Sequence, residues 1–166
     1  MKKVLYPGSF DPLTYGHMNI IDQALDIYDK VVVAILINSS KGKGLFTFDE
    51  RKALIEKIYE GNDRVEVIAV HGKKAVVDIA LENGCTEMVR GLRDITDFAD
   101  EKNKSDLNLK LSGGKVKTIA FFANPGTVSI SSSGVKVVFE LGKEIDDFVH
   151  PVVKEAIIKK YEEAEE

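Results

Sequence analysis

Five short runs rich in β-branched residues, set apart by segments of helical period, restrict this chain more than any other feature. "KKVLY" (2–6), "KVVVAILI" (30–37), "RVEVIAV" (64–70), "TEMVRG" (86–91) and "VKTIAFFA" (116–123) are strand candidates. Most lack strict alternation, which suits strands covered on both faces. Between them, residues 17–28 place Ile20, Ile21, Ala24, Leu25 and Ile27 on one side, and 47–60 open with "TFDE", a Thr-x-x-Glu capping box. Residues 73–83 predict a third helix stopped by Gly84, and 94–111 a fourth ended by "SGG". A fifth starts at serines 131 to 133, and a C-terminal helix from about residue 151 frays into the acidic "EEAEE". Alternation on this scale predicts an α/β fold, with one Rossmann-like domain over residues 1–166. Its five-stranded parallel sheet should carry helices on both faces, joined by right-handed crossovers.

Composition narrows the function classes. With 44% hydrophobic and 30% charged residues, the chain has the balance of a globular domain, and no stretch has the length needed to span a bilayer. After Lys2 and Lys3 only Val4, Leu5 and Tyr6 precede Pro7 and Gly8. That is too short for a signal-peptide core, so a cytoplasmic protein is expected, with no membrane partner. The single cysteine, Cys85, has no cysteine to pair with and reads as a small buried side chain in a reducing compartment. A net charge of −4 argues against a nucleic-acid surface, which needs many uncompensated cations, and points any anion to a local pocket.

In open parallel sheets ligands bind beyond the carboxyl ends of the strands, and four stretches stand there. In "YPGSFDPLTYGH" (6–17), Gly8 permits close backbone approach, Ser9 offers a hydroxyl and an N–H, and Gly16-His17 start a helix whose free N–H groups favour an anion. His17 taken alone could equally cap the helix or sit in the core. The stretch is neither a dinucleotide fingerprint nor a Walker loop, and "KGKG" (41–44) is not one either. Lys41 lies in a polar loop after the most apolar strand. "RGLR" (90–93) puts two guanidinium forks at the end of strand four, suited to phosphate or to ion pairs with Asp94 and Asp97. "SISSSG" (129–134) can cap a helix and hold an anion. A serine nucleophile is not supported, because no Gly-x-Ser-x-Gly elbow is present. No metal-ligand set emerges either: His17, His71 and His150 are far apart with no ligand at suitable spacing.

Together "GSFDPLTYGH" with Thr14-x-Gly16-His17, the strand-end Lys41, "RGLR" and "ISSS" resemble the phosphopantetheine adenylyltransferases of the nucleotidyltransferase α/β phosphodiesterase superfamily, over nearly the whole chain. The resemblance implies transfer of adenylyl from ATP to 4′-phosphopantetheine, giving dephospho-coenzyme A and pyrophosphate in coenzyme A biosynthesis, with Mg²⁺. It also implies a homohexamer and coenzyme A as a feedback ligand. It assigns Ser9 and Phe10 to the nucleotide, Ser9 also to the acceptor phosphate, and His17 to the ATP phosphates. Lys41 and Arg90 would meet the acceptor, with Val76 and Asn108 along its arm. Gly91, Leu92, Arg93 and Glu101 would line the ATP site, and Thr127, Val128, Ser129, Ile130, Ser131, Ser132 and Ser133 would hold its phosphates. The sequence departs from the family where Thr127-Val128-Ser129 replaces an aromatic residue and Ser-Phe. It departs again at polar "KNKSD" (102–106), where the family is more apolar, and in a loop after Lys41 that is one residue longer.

A phosphate monoester is largely ionised at neutral pH, with a second pKa of about 6, so the attacking group needs no general base. What the chain must supply is positioning and fixed positive charge, for which His17, Lys41, Arg93 and a helix N-terminus are the candidates. Two other readings stand beside this one. A sister enzyme would use another phosphate acceptor such as nicotinamide mononucleotide, and a nucleotide-binding regulator would bind without turnover.

Overall fold

The computed structural model describes residues 1–36, 44–124 and 130–165. Among them the chain runs β1 (Lys3–Gly8), α1 (Tyr15–Leu25), β2 (Lys30–Ile35), α2 (Phe48–Ile58), β3 (Val65–Ala69), α3 (Val76–Glu82) and β4 (Glu87–Leu92). It continues through α4 (Ile95–Leu111), β5 (Lys117–Phe122), α5 (Ser132–Glu140) and α6 (Pro151–Glu165). The strands form one sheet in the order β3-β2-β1-β4-β5, and every pair is parallel. The predicted fold class is the observed one. Chain order reverses between β1 and β4, and this switch opens a crevice beyond the carboxyl ends of those two strands.

The sheet buries two layers. On one face Val4, Tyr6, Val31, Val33 and Ile35 pack with Ile20, Ile21 and Ala24 of α1, Ile55 of α2, Val135 of α5, and Val153 and Ile157 of α6. On the other, Leu5, Val32, Ala34 and Met88 pack with Val77, Ile79 and Ala80 of α3, together with Cys85 and Val116. Neighbouring residues of β1 and β2 thus serve opposite layers, which is why those strands read as unbroken apolar runs. Burial holds the Cys85 thiol at about 11, so it stays a protonated core side chain.

The edges differ from the expectation of two covered faces. β5 reads as apolar, yet Phe122 is 77% exposed, and α4 buries none of its residues. Two causes are visible. Among the described residues β5 has a strand neighbour on one side only, and of the α4 leucines Leu107 and Leu111, four residues apart, share a face that Leu109 cannot, so α4 presents no broad apolar stripe.

Helix starts follow capping chemistry. α1 begins at Tyr15, two residues before the predicted start, because Thr14 is its N-cap. Thr47 and Glu50 form the expected capping box on α2, worth about 1 kcal/mol for such a cap. α3 is shorter than predicted, starting after Ala75 without a side-chain cap. It ends as expected at Gly84, whose φ of 72° is left-handed.

Candidate active site

At the crevice between β1 and β4 lies a cavity of about 620 Å³, the size of a small-molecule site. Strand ends supply its floor, and α1, α4 and the start of α5 supply its walls.

The α1 wall is set by the Thr-x-Gly-His stretch, whose spacing makes a capping box with histidine in the place usually taken by Glu or Gln. Thr14 Oγ1 accepts the His17 backbone N–H at 3.4 Å, and the Thr14 backbone N–H donates to His17 Nδ1 at 3.0 Å. A nitrogen that accepts from an amide carries no proton, so the neutral ring bears its hydrogen on Nε2. The ring meets Phe10 edge-on, with centroids 5.1 Å apart. His17 is half-buried, and its pKa is pushed down to about 4, by burial first and then by the positive charges of Arg90 and Arg93. The imidazole is therefore a neutral N–H donor at physiological pH.

The α4 wall carries the charge. Arg90 donates from Nε and Nη2 to the two carboxylate oxygens of Glu101 at 2.7 and 2.8 Å, and from Nη1 to the Pro7 carbonyl at 2.7 Å. Burial opposes the Arg90 charge, but the Glu101 hydrogen bonds and charge outweigh it and raise its pKa. Arg93, in the connection before α4, forks onto Asp97 in the first turn of that helix at 2.9 and 3.1 Å. Burial of Asp97 is outweighed by that fork, and its carboxyl is held below the usual range. Asp94 instead caps α4, accepting the Asp97 N–H at 2.9 Å. The ion-pair reading of "RGLR" thus holds for Arg93 with Asp97, not with Asp94, while both arginines also line the cavity.

The remaining candidates divide clearly. Ser9, Phe10, Val76, Gly91, Leu92, Glu101, Asn108, Ile130, Ser131 and Ser132 line the same cavity as His17, Arg90 and Arg93. Ser133 does not line it. Lys41, Thr127, Val128 and Ser129 lie outside the described residues. Two hydroxyls expected to face an anion are engaged within the protein: Ser131 Oγ accepts the Gly134 N–H at 3.0 Å as the α5 N-cap, and Ser132 Oγ donates to the Pro12 carbonyl at 2.8 Å. Glu101, assigned from the sequence to the nucleotide, is bound to Arg90. Sequence reasoning missed Tyr6, Leu36, Lys104 and Thr118, which also line the cavity. Only the inward register of Tyr6 on a buried strand could have signalled one of them. His71 stacks edge-on against Phe48, and His150 Nδ1 accepts the Val152 N–H at the start of α6. Both are structural.

A cytidylyltransferase-like family model matches residues 5–138. A phosphopantetheine adenylyltransferase from Geobacter metallireducens is 40% identical over 160 residues, 96% of each chain. One from Fusobacterium nucleatum is 39% identical over 163 residues, 98% of each. Among solved structures, a Vibrio parahaemolyticus protein described as a nicotinate-nucleotide adenylyltransferase shares the fold with a TM-score of 0.67 at 18% identity, over 95% of this chain and 99% of that one. A pocket of fixed donors at the switch point, in a sequence matched nearly end to end, places the chain in the cytidylyltransferase-like family of nucleotidyltransferases and, within it, among the phosphopantetheine adenylyltransferases.

Proposed function

We propose that this chain transfers the adenylyl group of ATP to 4′-phosphopantetheine, releasing pyrophosphate and giving dephospho-coenzyme A. The observation that carries this reading is the meeting of a neutral imidazole N–H with two carboxylate-braced arginines in one cavity. It does so in a chain that matches phosphopantetheine adenylyltransferases at about 40% identity along nearly its full length.

An oxygen of the acceptor phosphate attacks the α-phosphorus of ATP as the bond from that phosphorus to the bridging oxygen breaks, and the electron pair leaves with pyrophosphate. Because the acceptor is already ionised near neutral pH, the chain moves no proton and contributes charge and geometry. His17 Nε2–H donates to phosphate oxygens that gain charge during transfer. Arg93 faces the nucleotide phosphates, with the amino end of α5 beside them. Arg90, fixed by Glu101 and Pro7, holds the acceptor phosphate through its remaining N–H groups, and Val76 and Asn108 flank the arm. Lys41 is assigned to the same acceptor phosphate from its place in the sequence.

Mg²⁺ would arrive with the nucleotide and neutralise charge on its phosphates. Among the described residues no three His, Cys, Asp or Glu side chains come together, and the acidic pair at the cavity, Asp97 and Glu101, is engaged by Arg93 and Arg90. The ion would thus be held by phosphate oxygens and water. Exposed Ile95, Phe98 and Phe122 support a homo-oligomer, the family's hexamer being the assembly proposed. Coenzyme A, as an elaborated product, would occupy the same cavity as a feedback ligand. No helix among the described residues is long and apolar enough to cross a membrane, and the cytoplasm is the proposed location.

The test is a coupled pyrophosphate-release assay with ATP and 4′-phosphopantetheine, with dephospho-coenzyme A identified by mass. Release that requires nicotinamide mononucleotide, or CTP in place of ATP, would overturn the reading.

A further inference from the structure

Behind the cavity sits a second charged cluster, more deeply buried than the first. Asp11 is 8% exposed, and its carboxylate accepts the Leu45 and Phe46 backbone N–H groups, each at 2.9 Å. Arg51 Nε lies 3.4 Å from one of its oxygens, and Lys136 Nζ of α5 lies 3.5 Å from the other. Arg51 also donates from Nε to the Phe46 carbonyl at 2.9 Å and from Nη1 to the Ser9 carbonyl at 3.1 Å, with its guanidinium over the Phe48 ring. Gly44 makes room for this packing: a Cβ there would overlap Arg51 Nη2 and come 2.7 Å from Asp11 Oδ2. A carboxylate this buried is kept charged only by partners that satisfy it fully, and losing one of them is costly.

None of Asp11, Arg51 and Lys136 lines the cavity, whereas Ser9 and Phe10 do. The peptide between them joins the two regions. In a planar trans peptide the carbonyl and the N–H point in opposite directions. Arg51, which does not line the cavity, grips the Ser9 carbonyl, so the Phe10 N–H on the opposite edge of that peptide is directed away from Arg51. That N–H has no hydrogen-bond partner among the described residues. Phe10 also holds φ at 46°, a left-handed conformation unusual for an aromatic residue and maintained only when the surroundings impose it. Its ring is pinned edge-on between Tyr6 and His17, and Gly8 leaves space that a Cβ, 2.8 Å from the ring, would fill.

We infer that Arg51, braced by Asp11, is a positioning residue that aims the Phe10 backbone N–H into the cavity as a donor to phosphate. This deepens the adenylyl-transfer reading and rests on it. Arg51 touches no substrate and acts through one peptide plane.

The experiment uses the full chain with its phenylalanines ¹⁵N-labelled, titrated with inorganic pyrophosphate, beside steady-state kinetics with ATP and 4′-phosphopantetheine. In the wild-type protein the Phe10 amide resonance moves downfield as pyrophosphate binds. In Arg51→Met that response is lost and kcat falls roughly 10- to 100-fold, the scale of one misaimed donor, while the acceptor KM changes little. Arg51→Lys, which keeps a charge for Asp11 and one donor for Ser9, recovers most of both. If Arg51→Met does not fold, Gly44→Ala displaces the guanidinium without removing it and is expected to give the same paired loss. A folded Arg51→Met or Gly44→Ala protein with wild-type kcat and an unchanged Phe10 response overturns the inference. Wild-type turnover with 4′-phosphopantetheine tests the functional reading separately, since the amide response to pyrophosphate does not depend on the acceptor.

Discussion

On the α1 side of the cavity, His17 is set by a backbone hydrogen bond at a helix start whose inner face carries buried Ile20, Ile21 and Ala24. On the α4 side, Arg90 and Arg93 are set by carboxylates from a helix that buries none of its own residues. One wall is anchored by core packing and backbone, the other by charge against charge. Packing excludes water and leaves one rotamer and one tautomer, as a donor to a transition state requires. Ion pairs leave a wall whose guanidinium forks are oriented with N–H groups still to offer an incoming phosphate, as a binding surface requires. The difference assigns turnover to the first wall and affinity to the second.

The largest effect belongs to His17. His17→Ala removes the Nε2–H donor, while Thr14 Oγ1 still caps the helix, so kcat should fall roughly 100- to 1,000-fold in a protein that remains folded. Circular dichroism and turnover on the same sample check both halves. The pH behaviour follows from the same placement. With its folded pKa pushed down to about 4 from the ordinary 6.5, the ring binds fewer protons in the folded chain than in the unfolded chain between those values. Its contribution to stability is therefore complete above about pH 6.5 and is lost as the pH falls toward 4. Activity should instead fall near the acceptor phosphate pKa of about 6. An NMR titration of the His17 Cε1–H with a midpoint at or above 6.5 would contradict the neutral-donor assignment.

Arg90 comes next. Its fork to Glu101 is partly shielded, with side chains 30% and 14% exposed, so the pair orients a donor more than it decorates a surface. Arg90→Ala should raise the KM for 4′-phosphopantetheine about 10- to 100-fold, the range for a hydrogen bond to a charged group, and leave that for ATP nearly unchanged. Calorimetric titrations that weaken both substrates equally would erase the difference between the two arginines. Glu101→Gln, which keeps the shape but not the charge, separates the roles of Glu101. Weakened acceptor binding marks it as the brace of Arg90, and weakened ATP binding marks it as a nucleotide contact.

What could be read from the chain before its structure follows the same division. The five strands were legible because β1 and β2 are covered on both faces and show it as continuous apolar runs. The poor burial of β5 was not, because "TIAFF" spells a core strand whether or not a neighbour lies on both sides of it. Thr14, Gly16 and His17 were visible as a motif, since a capping box is local in sequence. The partners of Arg90 were not, because Glu101 is eleven residues away and Pro7 eighty-three. The Asp11–Arg51 cluster was silent for the same reason: its members come from three distant segments, and no spacing rule joins them. Local chemistry is written along the chain, whereas contacts made across the sheet become evident only in the fold.

The smallest effect should come from Asp97, and it tests the charge-held wall most directly. The Arg93–Asp97 pair ties the residue before the α4 cap to the first turn of that helix, with the arginine side chain 45% exposed, and exposed pairs of this kind contribute at most about 1 kcal/mol. Asp97→Asn keeps an acceptor for the Arg93 backbone N–H but gives up the symmetric fork. The KM for ATP should therefore rise by no more than about fivefold, with kcat unchanged. Because the pair faces solvent, salt decides how much of this survives: the screening length falls from about 10 Å at 0.1 M to about 3 Å at 1 M. Measured across that range, the gap between Asp97→Asn and the wild type should close, while the deficit of Arg90→Ala in acceptor binding should persist, because Arg90 acts from behind the shielded Glu101 fork. Equal salt sensitivity in the two variants would mean that both arginines meet their ligands in open solvent, and the contrast between a packed wall and a charged wall would lose its physical basis.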